Sequence, residues 1–285
     1  MKIAITGAGG FIGRQLSSFF LSNGHEIQVI PRMAEETPVS EIISLLKGTD
    51  VVINLAGAPI VGRWNKTYKK ILFDSRILTT RKIVEAIRMM EVGPGLLISA
   101  SAIGIYSGEG VQTEAKFIKA GDYLGEICES WELEAKVAEP FIRVAIIRLG
   151  IVLGRGGGAL AKMLPLFRAG LGGKIASGRQ GFSWIHIRDL ISAIQYIIQH
   201  PGVSGEFNFT APGIVDNAKF TKVLASVVKR PAFFSVPEFA LQFIFGEGAI
   251  AVAGGQFAMP HHLAEVGFKF EFPELEKALD DICAK

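Results

Sequence analysis

Three glycines near the start of the chain have the spacing of a phosphate-binding turn. Gly7, Gly10 and Gly13 lie in the stretch TGAGGFIG, directly after the apolar run 2–5. A strand that turns through glycines into a helix leaves unpaired backbone N–H groups, and the helix dipole adds positive charge there. The expected roles are a tight turn at Gly7, close approach of a pyrophosphate at Gly10 and helix packing at Gly13. We predict a dinucleotide site whose further contacts are Thr6, Phe11 and Ile12. A P-loop is excluded because no Gly-Lys-Ser/Thr follows.

The choice of dinucleotide depends on the end of the second predicted strand, where Arg32 follows Pro31. An NAD-selective site usually has an acidic residue there, whereas an arginine pairs with a ribose 2′-phosphate. We therefore predict NADP(H) in preference to NAD(H), with a solvent-facing loop arginine as the alternative. After the third predicted strand, small residues allow the adenine side of a dinucleotide to approach the backbone, or simply form the strand exit. These residues are Leu55, Ala56 and Gly57.

Alternating apolar runs and helical patterns must position these groups. The predicted strands are 2–5, 26–30, 50–55, 95–100 and 144–149, and the predicted helices are 11–23, 69–90 and 122–137. This alternation predicts an α/β fold, a Rossmann-like doubly wound parallel sheet with a smaller C-terminal substrate domain. We place the NADP-binding domain at 1–150, with about 184–205 added, and the mainly substrate-side region at 151–285. The apolar stretch 239–259 is interpreted as a helix lining a groove.

Composition limits the partners. The 285 residues are 49% hydrophobic, and 30 basic against 27 acidic residues give a net charge of +3 without a basic block. We expect a small-molecule substrate, no nucleic acid and no membrane partner. Cys128 and Cys283 lie far apart without zinc-ligand spacing, and His261-His262 has no third ligand recognisable by spacing. We expect no metal and a cytoplasmic location.

Several motifs together resemble the extended and atypical short-chain dehydrogenase/reductases, and most closely their "epimerase family" subgroup. They are TGAGGFIG, NLAG at 54–57, SASA at 99–102, RLGIVLGRGGG at 148–158 and SWIHIRD at 183–189. The similarity covers essentially the whole chain. It implies an NADP-binding domain, a C-terminal substrate domain and hydride transfer on a hydroxyl or carbonyl, as in nucleotide-sugar epimerases. Extended members often pair through long helices, so a homodimer is a further expectation.

The catalytic pair of that family is absent. Short-chain dehydrogenases use Tyr-x-x-x-Lys, and none of the four tyrosines has a lysine four residues later. Tyr123 lies near the expected tyrosine, but Ile127 replaces the lysine, and a tyrosine without a nearby cation is a poor base at neutral pH. Ser101 is similar to the family's catalytic serine, or else only packs at the strand end. Tyr106 is a second weak catalytic candidate.

Further candidates follow the other predicted strands and loops. Ser99 and Arg76 are predicted to contact the cofactor, with a salt-bridged helix arginine as the alternative for Arg76. Trp64 and Arg155 are predicted to contact the substrate. Trp64 could instead anchor the core, and the glycine-rich loop around Arg155 could be an anion site or a flexible linker. His186 is interpreted as a hydrogen-bonded core histidine.

Two functions remain open on the sequence. One is an NADP-dependent oxidoreductase or epimerase-like enzyme. The other is a non-catalytic NADPH-binding regulatory or sensor protein, which the missing lysine suggests.

Overall fold

The apolar runs of the first half form parallel strands, and the remainder of the chain adds shorter ones. A computed structural model describes residues 1–284. Its strands are β1 (Lys2–Thr6), β2 (Glu26–Ile30), β3 (Val51–Asn54), β4 (Leu96–Ala102), β5 (Val111–Gln112), β6 (Arg143–Leu149), β7 (Ile151–Leu153), β8 (Gly173–Ile175), β9 (Trp184–His186), β10 (Gly205–Phe209), β11 (Phe234–Val236) and β12 (Phe257–Ala258). All five strands predicted from the sequence are confirmed within a few residues.

The helices alternate with these strands. They are α1 (Phe11–Ser22), α2 (Val39–Leu46), α3 (Lys66–Met89), α4 (Tyr123–Lys136), α5 (Gly158–Arg168), α6 (Ile187–Gln199), α7 (Asn217–Val227), α8 (Glu238–Phe245), α9 (Ile250–Ala253), α10 (His261–Glu265) and α11 (Leu275–Cys283). Side chains fix the starts of the two long helices near the site. Asn65 accepts the Tyr68 N–H at the start of α3, and Asp122 accepts the Gly125 N–H at the start of α4.

Six of the strands form one parallel sheet in the order β10-β6-β4-β3-β1-β2. Successive residues point to opposite faces, so Ile3 and Ile5 enter one apolar core while Ala4 enters another. This confirms the predicted Rossmann-like doubly wound fold. Strand β1 lies between β2 and β3, so the winding direction changes there, and ligands of such sheets bind at that point beyond the carboxyl ends of the strands.

The C-terminal part packs around its own core, which includes Trp184, Phe220 and Leu275. The sixth strand of the central sheet, β10, comes from this later part of the chain, after the region about 184–205 that the sequence assigns to the first domain. The domain boundaries themselves stay an interpretation. In the described residues 1–284, no helix is both long and apolar enough to span a bilayer.

The prediction of one helix over 239–259 is wrong. This stretch is divided into α8, a single 3₁₀ turn at Glu247–Ala249, α9 and β12. The chain leaves α8 at Gly246, whose φ of 57° is a conformation that glycine adopts without strain. The segment nevertheless lines a cavity, as described below.

Candidate cofactor and active site

The glycine turn between β1 and α1 is built so tightly that two of its glycines cannot be replaced. Gly7 has a φ of 66°, and a Cβ there would lie 2.7 Å from the Leu55 carbonyl oxygen. A Cβ on Gly13 would lie 2.3 Å from the Gly7 carbonyl oxygen and 2.6 Å from the Ala8 Cα. The tight turn and the helix packing predicted for these positions therefore have a direct steric cause.

The start of α1 remains open to an anion. Gly10 precedes the helix without a side-chain cap, and the first turn contains no acidic residue. The first N–H groups of a helix have no intrahelical partner, and an anion can accept from them. A Cβ on Gly9 would meet nothing within 4 Å, so this glycine is not required by the fold. The spare space and free donors fit a pyrophosphate.

A row of hydrogen-bonded polar side chains holds the ends of β1, β3 and β4 together behind this turn. Thr6 and Asn54 are paired in register, as are Asn54 and Ser99. The Thr6 hydroxyl donates to the Asn54 side chain at 2.7 Å and accepts the Leu55 and Ala56 N–H groups. Thr6, Asn54 and Ser99 are fully buried. Their side chains therefore support the predicted cofactor-binding edge of the sheet from inside the protein. The prediction that Thr6 and Ser99 contact the cofactor directly remains untested.

Two arginines flank this edge. Arg32 is exposed just beyond β2 and makes no salt bridge within residues 1–284. Arg76 is partly buried, and a Cβ on Gly57 would lie 3.1 Å from its guanidinium carbon. It donates to the Leu72 and Ala58 carbonyls and has no acidic partner among the described residues. Burial lowers the pKa of Arg76. The salt bridge that was the alternative for Arg76 is therefore absent from the described structure, and the predicted cofactor contact remains untested.

A second polar row crosses the sheet two residues further along β4. Ser101, Arg148 and Asn208 are paired in register on β4, β6 and β10. Arg148 forms a bidentate buried ion pair with Glu132 of α4, with both N–O distances 2.8 Å. Buried charges of this kind are stable only when paired and hydrogen-bonded. This row therefore joins α4 to three strands.

The hydroxyls of Ser101 and Tyr106 belong to this buried row. Ser101 donates to Glu132 at 2.8 Å, and the Tyr106 hydroxyl lies between Arg148, at 2.8 Å, and Asn208, at 2.6 Å. Both side chains are at most 1% exposed. Burial raises the pKa of Tyr106 to about 12, although the charge of Arg148 opposes it. These contacts show an internal role for both residues; their catalytic assignment stays a prediction.

The sequence reasoning missed Glu132, Arg148 and Asn208. A signal was present for two of them, because Arg148 and Asn208 each lie between two apolar residues of a largely buried strand. Charged and amide side chains are rarely buried in a sheet without a specific partner. Only the strand register shows that these partners are each other's neighbours.

Tyr123, which is partly buried, lies in a different cluster against Trp64, which is buried in the core. Their rings are 6.0 Å apart in an edge-on arrangement, and Lys69 Nζ is 5.0 Å from the centre of the Tyr123 ring. The Tyr123 hydroxyl donates to the Lys69 carbonyl at 2.7 Å. Burial raises the pKa of Tyr123, while the charge of Lys69 opposes this. A cation thus stands near Tyr123, but it comes from α3 rather than from the missing position on α4.

A cavity of about 680 Å³ adjoins this cluster. Two residues of the cavity wall contact the cluster. Gly246 forms a β-bridge with Trp64, and Glu247 pairs with Lys69. The cavity wall presents Gln180, Glu238, Gln242 and Glu247, and no lysine or arginine lines it. Its volume is typical of a small-molecule site.

Arg155 lies elsewhere, beside a second cavity of about 190 Å³ lined also by Gln15, His186 and Arg188. The glycines around it serve packing, because a Cβ on Gly157 would lie 2.0 Å from the Phe11 ring and one on Gly154 would lie 2.9 Å from it. The prediction of an anion site or a flexible linker at residues 154–158 remains untested. The structure does not bring Arg155 into the Trp64 cluster, and its predicted substrate contact remains untested.

The histidines that the sequence singles out lie in two places, one in the core and one on the surface. His186 is a buried residue that accepts the Arg188 N–H, as expected for a core histidine. His261 and His262 do have a neighbour of ligand type, Glu265, with all three ligand atoms within 4.8 Å of one another. All three side chains are partly or fully exposed, and a Glu265 carboxylate oxygen lies 3.3 Å from His261 Nδ1 and 3.9 Å from His262 Nε2.

The comparisons with known proteins agree with this geometry. A model of the NAD-dependent epimerase/dehydratase family matches residues 3–209. The chain belongs to this family. A model of a domain of unknown function, DUF1731, matches residues 236–282 of this family member.

Relatives of full length carry the name of the predicted subgroup. The chain is 40% identical to the chloroplastic epimerase family protein SDR39U1 homolog of Arabidopsis thaliana, over 98% of this chain and 86% of the relative. It is 37% identical to epimerase family protein YfhF of Bacillus subtilis, over 100% of this chain and 98% of the relative. The crystal structure of human epimerase family protein SDR39U1 with NADPH has a TM-score of 0.93 at 33% identity, with 99% of each chain covered. The predicted resemblance is confirmed.

Proposed function

We propose that this protein binds NADP(H), in preference to NAD(H), at the glycine turn and carries out hydride transfer on a hydroxyl or carbonyl substrate. The turn carries this proposal: two glycines are required by sterics, while Gly9 and the uncapped start of α1 leave space and donors for a pyrophosphate. The NADPH in the human relative's structure supports the same choice. Arg32 would pair with the 2′-phosphate, and Arg76 would face an anionic part of the cofactor or substrate.

Calorimetric titration of the cofactor-stripped protein with NADPH and with NADH tests this first part. We expect tighter binding of NADPH and a loss of about 10- to 100-fold in NADPH affinity for Arg32→Ala, the range for one charge-assisted hydrogen-bonded pair. Arg88→Ala, at another exposed arginine, should leave both affinities unchanged. Equal affinities for the two nucleotides would remove the NADP preference, and no binding of either would remove the proposed function.

The proton chemistry falls to Tyr123 in this proposal. NADPH supplies a hydride when bound, and reduction of a carbonyl then requires one proton at the substrate oxygen. A tyrosine with a raised pKa is protonated at neutral pH, so Tyr123 suits the donor role better than the base role. Its hydroxyl would then donate to the substrate oxygen instead of the Lys69 carbonyl. Ser101 and Tyr106 would support the site through the buried row.

We place the substrate in the 680 Å³ cavity beside Trp64 and Glu247. Its carboxylates and amides suit hydroxyl groups or a cationic amine, and they would repel the diphosphate of a nucleotide sugar. We therefore propose a neutral or amine-bearing hydroxy or carbonyl compound, in contrast to nucleotide-sugar epimerases. The free thiols of Cys128 and Cys283 support a reducing compartment such as the cytoplasm.

The alternative, a non-catalytic NADPH-binding protein, is supported by the internal use of the Ser101 and Tyr106 hydroxyls. Transfer of deuterium from labelled NADPH to a carbonyl panel separates the two functions. The panel contains neutral hydroxycarbonyl compounds, amine-bearing ones and nucleotide sugars. We expect label in the first two groups. A protein that binds NADPH but labels none of them would be the binding module.

A further inference from the structure

Exposed phenylalanines are concentrated on one short segment of the C-terminal region. Phe233, Phe234, Phe239 and Phe243 are 90%, 55%, 74% and 84% exposed, and we call these four residues the aromatic surface. Together they expose on the order of 600 Å². Exposed apolar surface of this extent on one short segment commonly marks an interaction site. Neither the cofactor turn nor the cavity uses these rings.

The segment is anchored so that its rings point outward. Strand β11 pairs with β8, with Phe234 opposite Gly173, and Ala232 packs against the C-terminal core. Phe239 and Phe243 are four residues apart in α8 and therefore share a helix face, while Leu241 is 5% exposed and packs inward. The outward direction thus follows from a fixed backbone.

Exposed cations lie on the segments next to these rings. Arg168, Lys174, Lys229 and Arg230 are all exposed, and within residues 1–284 none of them forms a salt bridge. Lys229 and Arg230 precede Phe233 by four and three residues, Arg230 donates to the Arg168 carbonyl at 3.2 Å, and Lys174 lies on β8, which pairs with β11. The only carboxylate in residues 226–246 is Glu238, which lines the cavity.

We propose that this surface docks on an anionic lipid bilayer, with the rings in the headgroup boundary and the cations against the lipid phosphates. Aromatic side chains combined with lysine and arginine are the chemistry by which a protein lies on such a membrane without spanning it. A second copy of the chain fits less well, because an isologous contact would bring the four cations of one copy against those of the other. The proposal replaces the sequence-based expectation of no membrane partner.

Sedimentation with lipid vesicles tests the docking. The full-length protein is mixed with vesicles of phosphatidylcholine alone or with added phosphatidylglycerol, at low and high salt. We expect binding to the anionic vesicles that weakens with salt and is at least tenfold weaker for the double variant Phe239→Ser/Phe243→Ser. Arg168→Gln/Arg230→Gln should lose about tenfold on anionic vesicles only. Phe141→Ser, at an exposed phenylalanine outside the surface, should bind like the parent protein.

Thermal unfolding and NADPH titration accompany each variant, so that a folding defect or a failed cofactor site is distinguished from lost docking. Replacement of exposed rings should leave both unchanged. Failure of the parent protein to bind anionic vesicles would overturn the proposal. So would equal binding to both vesicle types, or a dimer in sedimentation velocity that the double phenylalanine variant converts to monomer.

Discussion

The glycine turn and the buried row around Arg148 lie at the carboxyl edge of the same sheet, but they are specified differently. The turn is local: its constraints act among residues 7–13 and the neighbouring Leu55 carbonyl. The buried row joins Ser101, Tyr106, Glu132, Arg148 and Asn208 from three strands, one helix and one turn. The first kind of site can be recognised from the spacing of residues in the sequence, whereas the second forms only when the strands pair in register.

The local site should fail most severely when its internal packing is changed. Gly13→Ala places a methyl group 2.3 Å from a carbonyl oxygen and 2.6 Å from a Cα, both backbone atoms that side-chain rotation cannot move. We expect a loss of more than about 3 kcal/mol of unfolding free energy and no measurable NADPH binding. Urea denaturation and calorimetric titration measure the two effects.

Gly9→Ala is the matched control, since its methyl group meets no protein atom within 4 Å. It should leave the free energy of unfolding unchanged to within about 0.5 kcal/mol and weaken only nucleotide binding. If both glycine variants unfolded at the same urea concentration, the steric account of the turn would be wrong.

The buried row should respond to loss of one charge. Glu132→Gln leaves Arg148 buried without its carboxylate, and removal of one partner of a buried pair costs about 3–5 kcal/mol. Urea denaturation measures this cost. The double variant Glu132→Leu/Arg148→Met removes both charges and should lose less than Glu132→Gln alone. A larger loss in the double variant would show that the pair is favourable in itself rather than costly only when broken.

Particular residues show why the sequence predicts one site and not the other. The spacing of Gly7, Gly10 and Gly13 predicts the turn because Gly13 packs against the Gly7 carbonyl only six residues earlier, although Gly7 itself meets the Leu55 carbonyl, which is distant in the sequence. Lys69 near Tyr123 could not be found by searching for a lysine four residues later, since it comes from another helix. Gly154 and Gly157 lie against the Phe11 ring, a packing constraint that their spacing in the sequence does not reveal because only the tertiary structure places Phe11 there.

His186 provides an intermediate case, a core histidine recognised from its strand but paired with the distant Asp281. Burial, with a smaller effect of Arg188, lowers its pKa to about 4 and outweighs Asp281. The unfolded chain, with a pKa near 6.5, binds this proton first. The contribution of neutral His186 to the free energy of unfolding is therefore fully present above about pH 6.5. It decreases by up to a few kcal/mol as the pH falls towards 4.

Urea denaturation at several pH values measures this slope. In His186→Gln the difference in free energy of unfolding between pH 6.5 and pH 4 should be smaller than in the parent protein. The carboxyl groups titrate in both proteins and provide the common background. Parallel pH profiles for the two proteins would show that His186 does not contribute, and the lowered pKa would then be wrong.

Apart from the Gly9→Ala control, Tyr123→Phe should have the smallest effect on stability, and its effect on function is the most informative. The variant keeps the ring against Trp64 and loses only the hydrogen bond to the Lys69 carbonyl, worth about 1 kcal/mol. If Tyr123 donates the proton, label transfer from deuterated NADPH should fall at least 100-fold while NADPH affinity stays unchanged. Unchanged transfer would mean that Tyr123 is not the proton donor. The buried row would then be the next candidate, and Ser101→Ala should reduce label transfer by more than its loss of stability explains. The glycine turn and the Tyr123 cluster should therefore differ in activity: variants of the turn should lose the cofactor, and only a variant of the reacting hydroxyl should lose transfer with the cofactor still bound.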